Sequence, residues 1–364
     1  MKFDHSVLQK YVDNTFICHE KHPFADLHIY GYYPTPEKQP VWDAVTKYCR
    51  GIILDGEGNV VEMPFMKFWT FRQYLSPDLL LLNEGQIIRT PSKKFRITEK
   101  VDGTMVTLYW VGDTPYLATQ RSFSNVKAVE ATKILHARYS HLFSRFDRSK
   151  TYVFEAIYPE TKVLIDYGDM RDLILIGVID KATGQPQKVP EDLGVITCKD
   201  YTEQYGHIED LNELAALNLP NKEGFVLYYE DGSMVKLKFP WYSHAHSILD
   251  RFMKYERHSF LWYKDLSADI GRPVMPVITK DDIIESIRRG EDDFESIRLR
   301  VPSFYYLMGL EYWLHLMKNV VLTSEQALLF PQPEYFNFEE RMQMPHMYET
   351  AVWMWEDRFL RNKI

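Results

Sequence analysis

The chain of 364 residues is poor in cysteine and has no long apolar segment. Its three cysteines, Cys18, Cys49 and Cys198, are too widely spaced for a disulfide framework or a zinc site, so we expect reduced, structural thiols. No apolar run approaches the ~18 residues that a helix needs to cross a bilayer. Residues 1–10 also lack the basic and then apolar order of a signal peptide. We therefore expect a soluble, cytoplasmic protein with no membrane partner.

Bulk positive charge and internal repeats are also missing from the sequence. Its 43 basic residues face 51 acidic ones, which leaves a net charge of -8. This balance argues against a protein that coats nucleic acid through bulk charge, so any nucleic-acid contact must be local. With 45% hydrophobic and 15% aromatic residues the chain can bury a large core, and its length predicts two domains.

The spacing of apolar residues predicts an α+β region followed by a mostly helical one. Segments rich in β-branched and aromatic residues predict antiparallel strands at 48–54, 60–65, 104–111, 152–158, 173–179, 224–230 and 234–239. Helices are expected at 126–139 and 208–217. After Pro240 the apolar spacing becomes helical, at 241–264, 280–289, 304–321 and 346–363. The sequence therefore predicts two domains, 1–240 and 241–364.

A lysine precedes an Asp-Gly pair in the run from Glu99 to Gly103, and Lys100 is the candidate nucleophile. An amine attacks only when it is neutral, so its surroundings must disfavour the ammonium through burial, a metal ion or neighbouring cations. The alternative is an exposed lysine ahead of a hairpin turn. A Lys-x-Asp-Gly pattern is too short to decide between the two by itself.

A second group of charges lies on the predicted hairpin near residue 230. Strand alternation places Lys236 and Lys238 on one face and the apolar Leu237 on the other. Two ammonium groups on one face repel each other unless they are solvated or share a phosphate. Glu223, at the start of the partner strand, brings a carboxylate to the same edge, where magnesium could bridge it to phosphate oxygens. A solvated strand face remains the alternative.

Four further charged residues occur in apolar surroundings: Arg50, Lys67, Arg121 and Glu155. Glu155 lies in an otherwise apolar predicted strand, where a buried carboxylate needs a hydrogen-bond donor such as a ribose hydroxyl. Each cation by itself is more often a surface residue whose stem covers apolar neighbours. Together they would supply the positive surroundings that Lys100 requires.

The order of these motifs resembles that of the covalent nucleotidyltransferases, which include RNA ligases, DNA ligases and capping enzymes. The motifs are Arg50-Gly51, Lys67-Phe68-Trp69, Lys100-x-Asp102-Gly103, Phe154-Glu155, Glu223-Gly224 and Lys236-x-Lys238. Pro159, Val163-Leu164, Tyr167 and Leu173 to Ile176 add a closer similarity to the phage RNA ligase family of the T4 RNA ligase 1 type. The resemblance covers about residues 45 to 245 and implies an antiparallel-sheet, ATP-grasp-like nucleotidyltransferase domain at 1–240.

The resemblance also implies a role for each motif. Lys100 would take AMP from ATP, and Glu223 would hold Mg²⁺, which Mn²⁺ can replace. Lys236 and Lys238 would hold the phosphate that is attacked. The remaining cofactor-binding assignments are Glu155 to the ribose, Leu175 and Val226 to the adenine, Arg50 and Lys67 to the triphosphate or an RNA 5'-phosphate, and Glu99 and Arg121 to the nucleotide. Arg121 stands where the phage relative has a lysine, and a guanidinium binds phosphate with a different geometry.

The implied function is ATP-dependent joining of RNA 5'-phosphate and 3'-hydroxyl ends through lysyl-AMP and AMP-capped RNA. Cleaved tRNA is a candidate substrate, no obligate protein partner is implied, and the location would be the host cytoplasm if a phage encodes the chain. The all-helical region 241–364 would select the RNA. A DNA ligase or a GTP-dependent capping enzyme is the main alternative, although those families usually continue into an oligonucleotide-binding barrel. A non-enzymatic RNA-binding module is the third class.

Overall fold

The computed structural model describes residues 1–33, 42–71, 94–190, 192–250 and 280–289. The chain divides into two compact units, Met1–Tyr242 and Ser243–Ile364. Within the described residues, no helix is long and apolar enough to cross a membrane. Most of the second unit lies outside the described residues, including the helices predicted at 304–321 and 346–363. The assignment of 241–364 to RNA selection therefore stays a prediction.

The first unit has thirteen strands among its described residues. They are β1 Ile17–Lys21, β2 Leu27–Tyr32, β3 Arg50–Asp55, β4 Val60–Glu62, β5 Trp69–Thr70, β6 Phe95–Lys100, β7 Thr104–Val111, β8 Thr114–Thr119, β9 Lys150–Ile157, β10 Asp172–Asp180, β11 Pro186–Gln187, β12 Gly224–Tyr229 and β13 Met234–Lys238. The α-helices are α1 His5–Asp13, α2 Val126–Tyr139, α3 Thr202–Tyr205 and α4 Leu211–Ala216, and α5 Lys280–Arg288 belongs to the second unit. Residues 240–250 are also helical.

The strands form three sheets, which we name by position. The N-terminal sheet has the order β1-β2-β3-β4, the central sheet β11-β10-β9-β7-β8, and the nucleophile sheet β5-β13-β12-β6. All pairings are antiparallel except that of β5 with β13, which is parallel. The predicted α+β class with antiparallel sheet is thus confirmed for the described residues. Strand β6, which ends at Lys100, was not predicted.

Helix α2 covers one face of the central sheet. The helix begins where the side chain of Asn125 accepts a hydrogen bond from the Ala128 N–H, as expected of an N-cap. Ala131 and Leu135 of the helix pack with Phe154 of β9 in one large apolar cluster. The boundaries of α2 match the predicted span of 126–139, because both its cap and its apolar spacing are visible in the sequence.

The other face of the central sheet meets the nucleophile sheet. Val153 and Ile179 of the central sheet form one apolar cluster with Tyr228 and Met234 of the nucleophile sheet. A second cluster, around Ile157 and Ile174, continues along the same interface. The charged motifs of both sheets therefore face a common cleft.

Two glycines permit the close approaches that shape this cleft. A Cβ at Gly103 would lie 2.7 Å from the carbonyl oxygen of Ala156, so only glycine lets the turn after Lys100 reach β9. Gly224 has a φ of +152° and a Cβ there would overlap the carbonyl oxygen of Leu237. Both Asp-Gly and Glu-Gly motifs thus contain a glycine for a steric reason.

We expect Gly224→Ala to destabilise the first unit more than Gly112→Ala. Gly112 also has a positive φ, +59°, but no atom lies within 4 Å of the position that a Cβ would occupy there, so its substitution costs only the strained backbone, about 1–2 kcal/mol. Gly224→Ala adds a collision with backbone atoms of β13. Thermal melting of the two variants measures the difference, and equal melting temperatures would contradict the close packing of β12 on β13.

Candidate active site

Lys100 lies in a row that crosses three strands. It is the last residue of β6 and pairs with Gly224 of β12, which pairs in turn with Lys238 of β13. The missing side chain at Gly224 leaves room between the two lysines. The Lys100 side chain is only 20% exposed, which excludes the alternative of an exposed lysine before a turn.

The carboxylate of Glu223 joins the two lysines of this row. Its Oε1 atom lies 2.7 Å from Lys100 Nζ and 3.2 Å from Lys238 Nζ. Glu223 is only 3% exposed, so both interactions are shielded from water and strong. Glu223 was expected at this edge of the sheet as a magnesium ligand, and its direct contact with both lysines was not predicted.

Glu155 approaches Lys100 from the central sheet. Its Oε1 atom accepts a hydrogen bond from the Gly103 N–H at 3.1 Å, which ties β9 to the turn after the lysine. Burial raises the pKa of Glu155 to about 8, against the opposing effect of Lys100 and with a further contribution from Glu223. A carboxyl group accepts hydrogen bonds from hydroxyls and can also donate one when it is protonated, which suits a hydroxyl-bearing ligand.

The acids also determine the charge state of Lys100. Burial lowers the pKa of Lys100, but the carboxylates of Glu223 and Glu155 outweigh it and leave the pKa above its ordinary value. The expectation that cations would dominate the surroundings of this amine is therefore wrong for the ligand-free protein. The carboxylates of Glu223 and Glu155 act on Lys100 more strongly than the cations do, and they stabilise its ammonium form.

A cluster of cations lies beside this row. Burial lowers the pKa of Lys236 to about 6, and the charges of Arg50, Lys100 and Lys67 act in the same direction. Burial and the charge of Arg50 lower the pKa of Lys67 to about 8. Arg50 is itself only 7% exposed. Cations that are buried or partly buried and repel one another form a site for a multiply charged anion such as a phosphate chain.

Aromatic rings support Lys67. Its Nζ atom lies 4.6 Å from the ring centroid of Trp42 and 5.7 Å from that of Trp69. A cation over an aromatic face is stabilised where water is partly excluded. Trp42 was not among the predicted residues, and no motif indicated it, because the contact joins segments that are distant in the sequence.

Asp102 holds the turn after Lys100 in place. Its Oδ2 atom accepts hydrogen bonds from the N–H groups of Leu164 and Ile165, and its Oδ1 atom accepts one from the Tyr242 hydroxyl at 2.9 Å. The Asp102 N–H donates to the Tyr167 hydroxyl oxygen at 2.8 Å. The aspartate of the motif therefore positions the lysine, and sequence reasoning had given no role to Tyr242.

The structure does not bring Leu175 or Glu99 into the cleft. Leu175 is fully buried on the α2 side of β10, opposite Phe154, whereas Ile174 pairs with Glu155. The Glu99 side chain is on the other face of β6 from Lys100 and binds Lys222 at 2.6 Å. Both predictions of cofactor contact by these side chains are corrected, because strand alternation turns them away from the site.

Val226 lies on the same face of its sheet as Lys100, and Ile176, not Leu175, lies near it. Both residues pack in the same apolar cluster, partly buried. A register shift between Leu175 and Gly177 accompanies this placement. Arg121 is exposed, with its guanidinium carbon 6.0 Å from the Tyr33 ring centroid, and within the described residues it contacts no member of the lysine row.

The acids of the site fit a magnesium ion that is shared with phosphate. The described residues contain no group of three or more His, Cys, Asp or Glu side chains that could enclose a metal ion. Magnesium usually binds one or two carboxylates and completes its shell with phosphate oxygens and water. Glu223 and Glu155, which both act on the charge of Lys100, are a donor set of that kind.

Residues 48–242, more than half of the chain, match the sequence model of the RNA ligase family of the T4 RNA ligase 1 type. The chain belongs to this RNA ligase family. The matched span contains all six motifs.

Individual RNA ligases are similar to this chain over part of its length or at low sequence identity. A protein of Thermovibrio ammonificans whose name describes it as an RNA ligase is 30% identical over 208 residues, 54% of this chain and 52% of that protein. The match thus spans about half the length of this curated relative. Among solved structures, an archaeal ATP-dependent RNA ligase has a TM-score of 0.48 and 14% identity, over 84% of this chain and 79% of that one. A Naegleria gruberi RNA ligase solved with ATP and Mn has a TM-score of 0.35 and 18% identity, over 46% and 55%.

We expect Lys236→Gln and Lys238→Gln each to weaken the binding of inorganic tripolyphosphate by about tenfold or more, because each removes a charge-assisted hydrogen bond in a buried site. Leu237→Gln should leave this affinity nearly unchanged and lower the melting temperature, since Leu237 is 1% exposed and its replacement buries an amide. Calorimetric titration and thermal melting separate the two effects. Equal, modest changes in all three variants would favour the solvated-face alternative.

The lowered pKa of Lys236 predicts proton uptake when a polyphosphate binds. Above pH 6 the free amine is mostly neutral, and a bound anion favours its charged form, so binding takes up a proton and the affinity falls as the pH rises. Titration with tripolyphosphate at pH 7.5 in two buffers of different ionisation enthalpy measures the uptake. Lys236→Gln should reduce it, and the same uptake in both proteins would assign it to another group.

Proposed function

We propose that this RNA ligase family member joins RNA 5'-phosphate and 3'-hydroxyl ends by way of lysyl-AMP at Lys100. The observation that supports this most is the shared carboxylate oxygen of Glu223, 2.7 Å from Lys100 and 3.2 Å from Lys238, beside a cluster of buried cations. An amine, an acid within proton-transfer distance and a polyphosphate site are the three parts that such a reaction needs.

In the first step, the neutral amine of Lys100 attacks the α-phosphorus of ATP. A nitrogen–phosphorus bond forms, the bond from phosphorus to the bridging oxygen breaks, and pyrophosphate leaves with the electron pair. The amine gives up its proton before or during attack, and Glu223 Oε1 is within hydrogen-bond distance to accept it. Lys236 and Lys238 would stabilise the negative charge that develops on the phosphate oxygens.

The nucleotide would lie between the two sheets. Glu155 would bind a ribose hydroxyl, and the apolar cluster that includes Val226 and Ile176 would contact the adenine. Arg50 and Lys67, at the other side of Lys236, would hold the outer phosphates or the RNA 5'-phosphate. A divalent cation, Mg²⁺ or Mn²⁺, bound by Glu223 and phosphate oxygens would lower the charge that now stabilises the Lys100 ammonium.

Two further displacements at phosphorus complete the reaction. The RNA 5'-phosphate attacks lysyl-AMP, which releases Lys100 and gives an AMP-capped end. A 3'-hydroxyl then attacks the 5'-phosphorus, a phosphodiester forms and AMP leaves. The same cations and acids serve each step, since all three are in-line displacements that depend on positioning.

For the natural role we propose the repair of cleaved tRNA, with residues 243–364 in the selection of the RNA. The overall charge of -8 favours selective docking over broad backbone binding. The cations Arg50, Lys67 and Lys236 of the proposed phosphate site would contact the RNA end rather than its length.

Incubation with ATP or GTP followed by intact mass tests the central proposal. We expect the gain of one AMP with ATP and no gain with GTP. Lys100→Ala should abolish the adduct because it removes the nucleophile, and Lys100→Arg should also fail because a guanidinium is effectively never neutral. A GMP adduct would instead indicate a capping enzyme, and an AMP adduct on either variant would exclude Lys100 as the nucleophile.

A matched assay with pre-adenylylated RNA separates the nucleophile from the rest of the site. Lys100→Ala should still seal this RNA, because the last step needs no lysine nucleophile. Circular dichroism of the variant controls for folding. Loss of sealing by a folded variant would show that Lys100 also positions the RNA end.

A further inference from the structure

One aromatic ring contacts two cations of the proposed phosphate site. The Phe68 ring centroid is 4.5 Å from Lys236 Nζ and 5.3 Å from the guanidinium carbon of Arg50. Both distances are within the roughly 6 Å range in which the negative face of an aromatic ring attracts a cation. The described contacts therefore connect two separate strands, β13 and β3, through a residue that has no charge of its own.

The two cations would otherwise be unfavourable neighbours. Arg50 is only 7% exposed, and its charge contributes to the lowered pKa of Lys236. Like charges in a water-poor site repel strongly and tend to move apart or lose a proton. The aromatic ring offers a favourable partner both to the Arg50 guanidinium and to the Lys236 ammonium that an incoming anion favours, and it neutralises neither charge.

The backbone holds Phe68 firmly in this position. Strand β5 begins at the next residue, and its pairing places Thr70 beside Lys236. On the other side, Arg50 Nη1 donates a hydrogen bond to the carbonyl oxygen of Met66 at 3.2 Å. The short segment that contains Phe68 is thus tied to both cation-bearing strands.

The ring is also fixed by its apolar neighbours. Phe68 makes an edge contact with Phe65, with ring centroids 5.9 Å apart. It packs in the same cluster as Val226 and Ile176, the residues assigned to the adenine. A ring held in this way has little freedom to turn, which preserves the faces that it presents to the cations.

We propose that Phe68 is a positioning residue that holds the side chains of Arg50 and Lys236 in place, aimed at one phosphate chain. The binding part of this proposal depends only on the cations, and its effect on lysyl-AMP formation rests on the proposed function. The prediction differs from that for an ordinary core residue, because the electron density of the ring matters as well as its volume.

Replacement of Phe68 with phenylalanines that carry one, two and three ring fluorines tests this directly. Fluorine withdraws electron density from the ring faces and changes the ring volume little. We expect the affinity for tripolyphosphate to fall stepwise, by roughly tenfold over the series, because the cations lose their preferred positions. The matched control is the same series at Phe65, whose ring touches Phe68 but contacts no cation in the described part of the chain, and its affinity should stay constant.

Two simple substitutions complete the design. Phe68→Tyr keeps the ring and should retain the affinity within about threefold, whereas Phe68→Leu should lose at least as much as the trifluorinated ring. The rate of lysyl-AMP formation should follow the same order. An unchanged tripolyphosphate affinity across the series at position 68, or an equal fall at position 65, would overturn the proposal.

Tripolyphosphate binding and lysyl-AMP formation are measured separately, so they test the role of Phe68 and the proposed function independently. If the wild-type protein binds tripolyphosphate but forms no lysyl-AMP, the proposed function fails and the fluorine series still decides the role of Phe68. If lysyl-AMP forms at the same rate and tripolyphosphate binds equally in every position-68 variant, the proposed function stands and the role of Phe68 is refuted.

Discussion

The buried carboxylate of Glu223 is the interaction on which the rest of the site depends. One of its oxygens contacts Lys100 at 2.7 Å and Lys238 at 3.2 Å, so a single acid compensates cations from two strands. Without it, two ammonium groups would face each other across the gap left by Gly224, in a place that water reaches poorly. Breaking a buried pair by removing one partner leaves an uncompensated charge, which is costly. The contact of Glu223 with both lysines thus links β6, β12 and β13 and also influences the charge of Lys100.

The same contact would keep Lys100, the proposed nucleophile, in its ammonium form until a ligand binds. Glu223 and Glu155 stabilise the ammonium of Lys100, while burial and mutual repulsion lower the pKa of Lys236 to about 6 and that of Lys67 to about 8. The acids therefore raise the pKa of Lys100, whereas burial and the cations lower the pKa values of Lys236 and Lys67. A polyphosphate with a divalent cation would relieve both effects together, which couples substrate binding to activation of the amine. A chain with an overall charge of -8 can bind phosphate in this way, because the positive charge is local.

Much of the site could be predicted because its signals are local in the sequence. Alternation along β13 requires Lys236 and Lys238 to share a face, and the buried Val235, Leu237 and Phe239 occupy the other. Asn125 and the apolar spacing after it define α2. The order of six short motifs indicated the family even though none of them is specific alone. These features depend on neighbours within a few residues, so the amino-acid sequence by itself determined them.

Tertiary structure decided which side chains meet. The run from Leu173 to Ile176 is apolar on both faces, so hydrophobicity could not show that Ile176, and not Leu175, lies beside Val226; the shifted strand pairing of β10 determines it. The contact of Phe68 with both Arg50 and Lys236 has the same origin, since it needs β3, β5 and β13 in one arrangement. The raised pKa of Lys100 likewise reflects acids from two distant strands. Charge interactions act through space and strand register is set by long-range packing, so neither can be read from residue order.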